Sequence, residues 1–317
     1  MEKLFHADMP TGMSAVPTLA ARVIGIALMA APFTLIHISD VHVHGLPRDP
    51  RQWLSKRALG GLNLLLNRRR RYPPARMRAL VADLDGMAWD QLVLSGDVTQ
   101  LATEGEFARA RALLAPLLAR GPGRVTVIPG NHDRYVDDRG GRDGFGDAFG
   151  EYFAPYGGHA GMTVKPLCAG WWLCGWDSAR PVGWLSAEGA VPEATLAATE
   201  AWLETLPPGD KVVLVNHYPL HFPPGFHRKR RHDLVNLAAV RERVAAWPVR
   251  LYLHGHDHHN WVVTRPVPGG TLTLVNSASS SQVPRRGQTS SYHRIRLDGD
   301  SIEVEPMALS IDGSATD

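Results

Sequence analysis

Five short blocks hold the residues whose types could do chemistry together. They are Asp40-Val41-His42, Gly96-Asp97, Gly130-Asn131-His132-Asp133, His217, and Gly255-His256-Asp257-His258. Taken singly, each is weak. Asp-x-His arises by chance, Gly-Asp is a common turn, and a single histidine at a strand end more often serves structure than a ligand. Asn131-His132-Asp133 after Pro129-Gly130 has the composition of a polar turn. Their joint occurrence, in order and each directly after an apolar run, is a different matter. The donors on offer are imidazole, carboxylate and amide oxygen. These suit Mn²⁺, Fe or Zn²⁺ and not a soft, thiolate-seeking ion.

The runs before the blocks are Phe33 to Ser39, Gln91 to Ser95, Arg124 to Ile128, Lys211 to Asn216 and Val249 to His254. Short apolar, β-branched runs of this kind predict buried strands of a sheet covered on both faces. Helical patterns lie between them over Arg76 to Met87, Thr103 to Arg120, Pro192 to Leu206 and Leu234 to Trp247. The second of these opens on a capping box, Thr103 followed by Glu106. Alternating strand and helix predicts an α/β fold. Trp171 to Trp176, Thr271 to Asn276 and Tyr292 to Leu297 read as further strands with less helix between them, which predicts a second sheet. Ligands of open α/β sheets bind beyond the carboxyl ends of the strands, and all five runs deliver His, Asp or Asn to that edge. Gly255 would let the backbone approach closely there, without a Cβ. His37 and His254, inside strands, read as core histidines. His44 and His259 read as loop residues beside the blocks.

The chain has 317 residues, 44 % hydrophobic, with a formal net charge of +3. That is enough for a sizeable core, and the small charge gives no reason to expect a nucleic-acid partner. Cys168 and Cys174 lack zinc-site spacing and read as a reduced, buried pair, which fits a reducing, cytoplasmic setting. Residues 1–32 read as an extension outside the domain. Met13 to Pro32 is apolar but interrupted by Pro17 and Arg22, short of the roughly 20 apolar residues of a membrane span. Three readings compete: a natural start at Met29, a loosely ordered extension, and a signal segment. The domain itself is expected over 33–309, with an apolar, basic cap insert at 47–74 and a tail at 310–317.

These blocks resemble those of the calcineurin-like metallophosphoesterase superfamily: Asp-x-His, Gly-Asp, Gly-Asn-His-Asp/Glu, a lone His, and Gly-His-x-His. The match runs from Phe33 to His258 with all five blocks intact. The resemblance implies a four-layer α/β/β/α sandwich of two mixed sheets, with the site at the C-terminal strand ends. It also implies two divalent ions about 3.5–4 Å apart that activate a shared water as hydroxide for attack on phosphorus. Manganese is favoured, with iron or zinc as alternatives. Carried over block by block, Asp40, His42 and His258 would hold one ion, and Asn131, His217 and His256 the other. Asp97 would bridge them, since a carboxylate has two oxygens. His132 is the family's candidate proton donor to the leaving group. Asp133 either orients its imidazole or is purely structural.

The substrate implied is a phosphoester, as a phosphodiester or pyrophosphate. The phosphoprotein phosphatase branch follows its Gly-Asp with an Asp-Arg-Gly turn. Here Val98-Thr99-Gln100 follows instead, nearer to the branch containing cyclic-nucleotide phosphodiesterases, with a phosphomonoesterase left open. Trp53 to Tyr72 combines six leucines with Lys56, Arg57 and the Arg68–Arg71 run. This is similar to inserts in enzymes that cleave UDP-2,3-diacylglucosamine in lipid A assembly, and it implies a peripheral membrane or acylated-lipid contact; the plainer alternative is a cap helix packed on the core. Arg230 and Arg231, in the basic stretch Arg228 to Arg231, are candidate substrate-binding residues for a polyanion. The other class of function that the fold allows is a scaffold without turnover. Such proteins lose ligands, and every block here is complete.

Overall fold

The computed structural model describes residues 32–45, 69–134, 143–183, 186–228, 230–284 and 291–309, without the side chains of Arg69 and Arg230. The N-terminal extension to residue 31, residues 47–68 of the cap insert, Lys229 and the tail at 310–317 therefore lie outside the described residues.

Eleven strands are described in two mixed sheets. The first carries β1 (Phe33–Ile38), β2 (Gln91–Leu94), β3 (Val125–Val127), β10 (Ser291–Asp298) and β11 (Ser301–Ala308), in the order β11-β10-β1-β2-β3. Its centre, β1-β2-β3, is parallel, and β10 and β11 add antiparallel. The second carries β4 (Met162–Cys168), β5 (Trp171–Trp176), β6 (Lys211–Val215), β7 (Val249–His254), β8 (Trp261–Val267) and β9 (Gly270–Asn276), in the order β4-β5-β6-β7-β9-β8. Its four central strands are parallel and its two edges antiparallel. The run Tyr292 to Leu297, expected in a second sheet, joins the first: His293 pairs with His37 across β10 and β1.

The layering follows from the period of two along β6 and β7. Val213, Val215, Leu251 and Leu253 pack with the core of the first sheet. Val212, Leu214 and Tyr252 alternate with them, and Val249 shares their face because the register shifts at the start of β7. They pack instead with α4 (Glu193–Leu203) and α5 (Leu237–Ala246), through Leu196, Trp202, Leu237, Val240 and Val244. The second sheet thus has one face on the first sheet and the other on helices. Helices α1 (Pro74–Asp85) and α2 (Glu104–Leu118) share the first sheet's core through Leu80, Leu84, Phe107 and Leu114, and α3 (Gly144–Phe149) joins it through Phe145 and Phe149. The result is the α/β/β/α sandwich expected.

The capping box forms as read, and it reaches further. Thr103 Oγ1 accepts from Glu106 N at 3.2 Å, and Glu106 Oε2 accepts from Thr103 N at 3.2 Å. Glu106 also accepts from Leu101 N at 2.8 Å and, through Oε1, from Gly45 N at 2.9 Å. The first turn of α2 therefore holds the loop that leaves the Asp40-His42 block. Both cysteines are free; Cys174 is buried on β5, while Cys168 at the end of β4 is half-buried, so the buried pair expected is one buried thiol and one partly accessible. Among the described residues no helix is long and apolar enough to cross a membrane.

Candidate metal centre

The strand-end loops continue the pairing of their strands before they diverge. Asp40 N donates to Gly96 O at 3.0 Å, His42 N to Asp97 O at 3.0 Å and Val43 N to Val98 O at 2.8 Å. In the second sheet, Gly255 N donates to His217 O at 3.1 Å. Hydrogen bonds cross between the sheets here, among them His217 Nδ1 to Ser95 O at 2.9 Å and His256 N to Asp40 Oδ2 at 3.0 Å. The loops fold tightly to do this. Asp40, His42, Asp97, His256 and His258 all have φ between 45° and 76°. Non-glycine residues enter that left-handed region at a cost of roughly 1–3 kcal/mol each, and such strain gathers at functional sites. Gly255 is needed as expected: a Cβ there would run into the Ser39 hydroxyl and the Asp40 carboxylate.

Two adjoining groups of donors result. In the first, Asp40, His42, Asp97 and His258 each offer one ligand atom, all within 4.8 Å of one another. His258 Nε2 lies 3.0 Å from both Asp40 Oδ1 and His42 Nε2. In the second, His217 Nε2 lies 3.2 Å from Asn131 Oδ1 and 3.2 Å from His256 Nδ1. Asp97 joins the two groups through one oxygen. Its Oδ2 is 3.8 Å from His42 Nε2 and 3.5 Å from His217 Nε2, while Oδ1 is held by His132 N at 2.8 Å. The junction is thus a single oxygen and not the two of the sequence reading. Asp40 is built the same way: Oδ2 accepts from Ser39 Oγ at 2.6 Å and from His256 N, and buried Oδ1 accepts no hydrogen bond of good geometry.

The ring nitrogens are oriented likewise. His42 Nδ1 is 3.3 Å from Thr99 O and His217 Nδ1 is 2.9 Å from Ser95 O. A proton on each Nδ1 leaves the Nε2 lone pair facing the cluster. Burial works to raise both carboxyls, yet the imidazoles around them hold them below the ordinary range: His258 and His217 for Asp40, and His217, His132 and His42 for Asp97. Burial pushes His42 and His256 well below the usual imidazole range. Burial also works to lower His217, but the Asp97 carboxylate overrides it and pushes the ring up to about 9. Ionised carboxylates, the neutral imidazoles of His42 and His256, an amide oxygen and the orphaned Asp40 Oδ1 fit divalent cations, and His217 joins them once it gives up the proton that Asp97 holds on it.

His132 stands at the edge, its ring edge-on to His42 at 5.0 Å between centroids and its Nδ1 2.7 Å from Gln100 O. Asp133 does not orient it. The Asp133 carboxylate accepts instead from Val98 N at 3.0 Å, Thr99 N at 2.8 Å, Thr99 Oγ1 at 2.9 Å and Gly130 N at 2.9 Å. It is a buried knot between the second and third blocks, and burial beside Asp97 pushes it up to about 6. Arg231 is exposed on the short turn Arg230–His232, and its carbonyl accepts from Ala187 N at 2.9 Å. The next residue, His232, has its ring 5.5 Å from that of His256, so the turn adjoins the second group. Arg228 is committed elsewhere, to Asp233 and the Phe222 ring. His44 is indeed a loop residue, its Nε2 3.0 Å from Tyr72 O, and His37 and His254 are buried in strands.

Sequence reading missed the loop after β9. Ser279 Oγ donates to Asp40 O at 2.5 Å, Ser281 Oγ to Val41 O at 2.6 Å, and Ser280 N to Ser39 O at 3.0 Å. These buried serines clamp the first block, yet in the sequence they form only a run of small polar residues with no metal donor. Tyr72, assigned to the cap insert, is buried against the first group.

Comparison with known proteins agrees with this geometry. A family model described as calcineurin-like phosphoesterase matches residues 33–260. No curated protein matches. Among solved structures, a dimetal phosphatase from Danio rerio is similar over 88 % of this chain and 97 % of its own, with 17 % identity and a TM-score of 0.60. The purple acid phosphatase PPD1 from yellow lupin is similar over 91 % of this chain and 53 % of its own, with 13 % identity and a TM-score of 0.54. At these identities the likeness is one of fold.

Proposed function

The chain belongs to the calcineurin-like phosphoesterase family, and from that premise we propose that it is a two-metal hydrolase of a phosphodiester or pyrophosphate. The observation that carries this reading is Asp97 Oδ2, which faces His42 in one donor group and His217 in the other. Asp40, His42 and His258 would hold one divalent ion, Asn131, His217 and His256 the other, and Asp97 both. Manganese is the first choice, with iron or zinc also suited to the donors.

Divalent ions bound there supply an activated water at neutral pH and neutralise charge on phosphoryl oxygens. The chain's own residues do the rest. Asp40 and Asp97 each have one oxygen tethered by hydrogen bonds, so the other is presented in a fixed direction. Gln100 O holds the proton on His132 Nδ1. As an imidazolium, His132 then donates its Nε2 proton to the departing oxygen. Asp133 keeps the Gly130 loop, and with it Asn131 and His132, against the second block.

A diester is favoured over a phosphoprotein by Val98-Thr99-Gln100, which brings a neutral amide and a carbonyl to His132 where the phosphoprotein phosphatase branch has its Asp-Arg-Gly turn, whose arginine grips phosphate. Arg230 and Arg231, on the turn beside the second group, would meet a polyanionic substrate.

The test is hydrolysis of bis(p-nitrophenyl) phosphate, p-nitrophenyl phosphate, cyclic AMP and a UDP-linked acylated lipid, with Mn²⁺ added and after exhaustive chelation. Metal-dependent turnover of the diester is expected. Activity that survives chelation sinks the two-metal reading. A protein that purifies without transition ions and turns over nothing is a scaffold, and preference for the acylated lipid over the soluble diester points to the membrane-facing role of 53–72.

A further inference from the structure

Tyr72 lies directly before Pro73 and α1 and is buried, 4 % exposed. Its ring is 4.8 Å from the His42 ring at a tilt of 59°. Its hydroxyl is 3.3 Å from His258 Nδ1, with the two rings nearly perpendicular at 87°. Both contacts are to the first donor group, and the Tyr72 carbonyl faces His44 Nε2 at 3.0 Å, which ties its backbone to the loop after the first block.

The hydroxyl matters because of what the other end of His258 meets. Nε2 is 3.0 Å from both the Asp40 carboxylate and His42 Nε2. When the Nε2 lone pair serves a cation, the ring proton sits on Nδ1 and Tyr72 Oη accepts it. When no cation is bound, a proton on Nε2 faces Asp40, and Nδ1 accepts from the Tyr72 O–H. A hydroxyl donates and accepts, so it supports both tautomers, whereas a carbonyl or carboxylate would support the first alone. Residues that hold the far nitrogen of a metal-binding imidazole fix its tautomer and direction.

We propose that Tyr72 is a positioning residue for one half of the metal centre. It sets the tautomer and direction of His258 and buttresses His42, so cation affinity at Asp40, His42 and His258 depends on it. The half built from Asn131, His217 and His256 does not. This rests on the two-metal reading above.

The test is titration of the full, metal-stripped chain with Mn²⁺ against a competing chelator, for wild type, Tyr72→Phe, His258→Ala and the double variant. Melting temperature and circular dichroism are followed alongside. Phenylalanine keeps the buried ring and removes the hydroxyl alone. Expected are two ions in the wild type, and in Tyr72→Phe one ion unchanged and the other weakened by about 10–100-fold. His258→Ala should weaken that same ion, and Tyr72→Phe should then add nothing, the coupling expected of two residues acting through one contact. Two unchanged affinities in Tyr72→Phe, or equal weakening of both with a lowered melting point, overturn the proposal and leave the two-metal reading standing. A wild type that binds no Mn²⁺ overturns both.

Discussion

At the scale of single residues, the division of labour between His132 and Asp133 is open to direct measurement. His132→Ala should keep both ions and slow turnover by about 10²–10⁴-fold, the usual worth of a positioned acid–base group. The loss should shrink for aryl leaving groups of low pKa, which depart without a proton; an equal loss across a leaving-group series would mean that His132 only shapes the site. His217 makes a second prediction. Asp97 holds its proton up to about pH 9 when no ion is present, yet a ligand must give that proton up. Cation binding at the half containing His217 should therefore release a proton below pH 9 and weaken as pH falls from there, up to tenfold per unit. Calorimetry in buffers of different ionisation enthalpy reads the proton directly, and binding with no proton release between pH 7 and 8 would refute the assignment.

At the scale of elements, the site depends on loops packed too closely for a methyl group. Gly255→Ala would force a Cβ into the Ser39 hydroxyl and the Asp40 carboxylate, so it should weaken binding at the Asp40 half more than it lowers the melting point. Equal ion affinities in that variant and the wild type would show that the loop can shift freely. This loop, like the other four, was legible in the sequence because a buried parallel strand leaves an apolar run and the run stops at its donor. The strands that went unread are β4, β8 and β11, and each is a sheet edge. Each contains a proline, Pro166, Pro266 or Pro306, which an edge tolerates and a central strand does not. Polar residues such as Lys165, Thr264, Arg265, Glu303 and Glu305 also interrupt them, so no apolar run forms. β10 was found but placed in the wrong sheet, because an apolar run carries no record of its partner. Tyr72 and the serines after β9 went unread for another reason. Tyr72 acts through a hydroxyl on a donor's far nitrogen, and Ser279 and Ser281 through hydroxyls on the backbone carbonyls of Asp40 and Val41, and a hydroxyl has no signature until the fold brings the partners together.

At the scale of the whole molecule, the candidate centre is where the two sheets meet. Asp40, Asp97 and Asn131 follow β1, β2 and β3 of the first sheet, and His217, His256 and His258 follow β6 and β7 of the second. A cation held by donors from both sheets would cross-link them, with both Asp40–His258 and Asp97–His217 spanning the junction. Without it, two buried carboxylates and four imidazoles are left to satisfy one another. Binding that favours the folded state adds RT ln(1 + [L]/Kd), about 2.7 kcal/mol for one site at a hundredfold excess over its Kd. For a domain of this size each kcal/mol moves the melting temperature by roughly 2–4 °C. Saturating Mn²⁺ should therefore raise the melting temperature of the stripped protein by about 5–10 °C for one ion, and by more for two. The shift should grow with the logarithm of free Mn²⁺. Asp97→Asn, which removes the charge at the oxygen facing both donor groups, should lose most of it, whereas Asp40→Asn should lose the part belonging to one ion. A shift that Asp97→Asn retains in full would show that the ions do not meet at Asp97, and a stripped protein that melts where the loaded one does would show that the two sheets hold their site open without a cation between them.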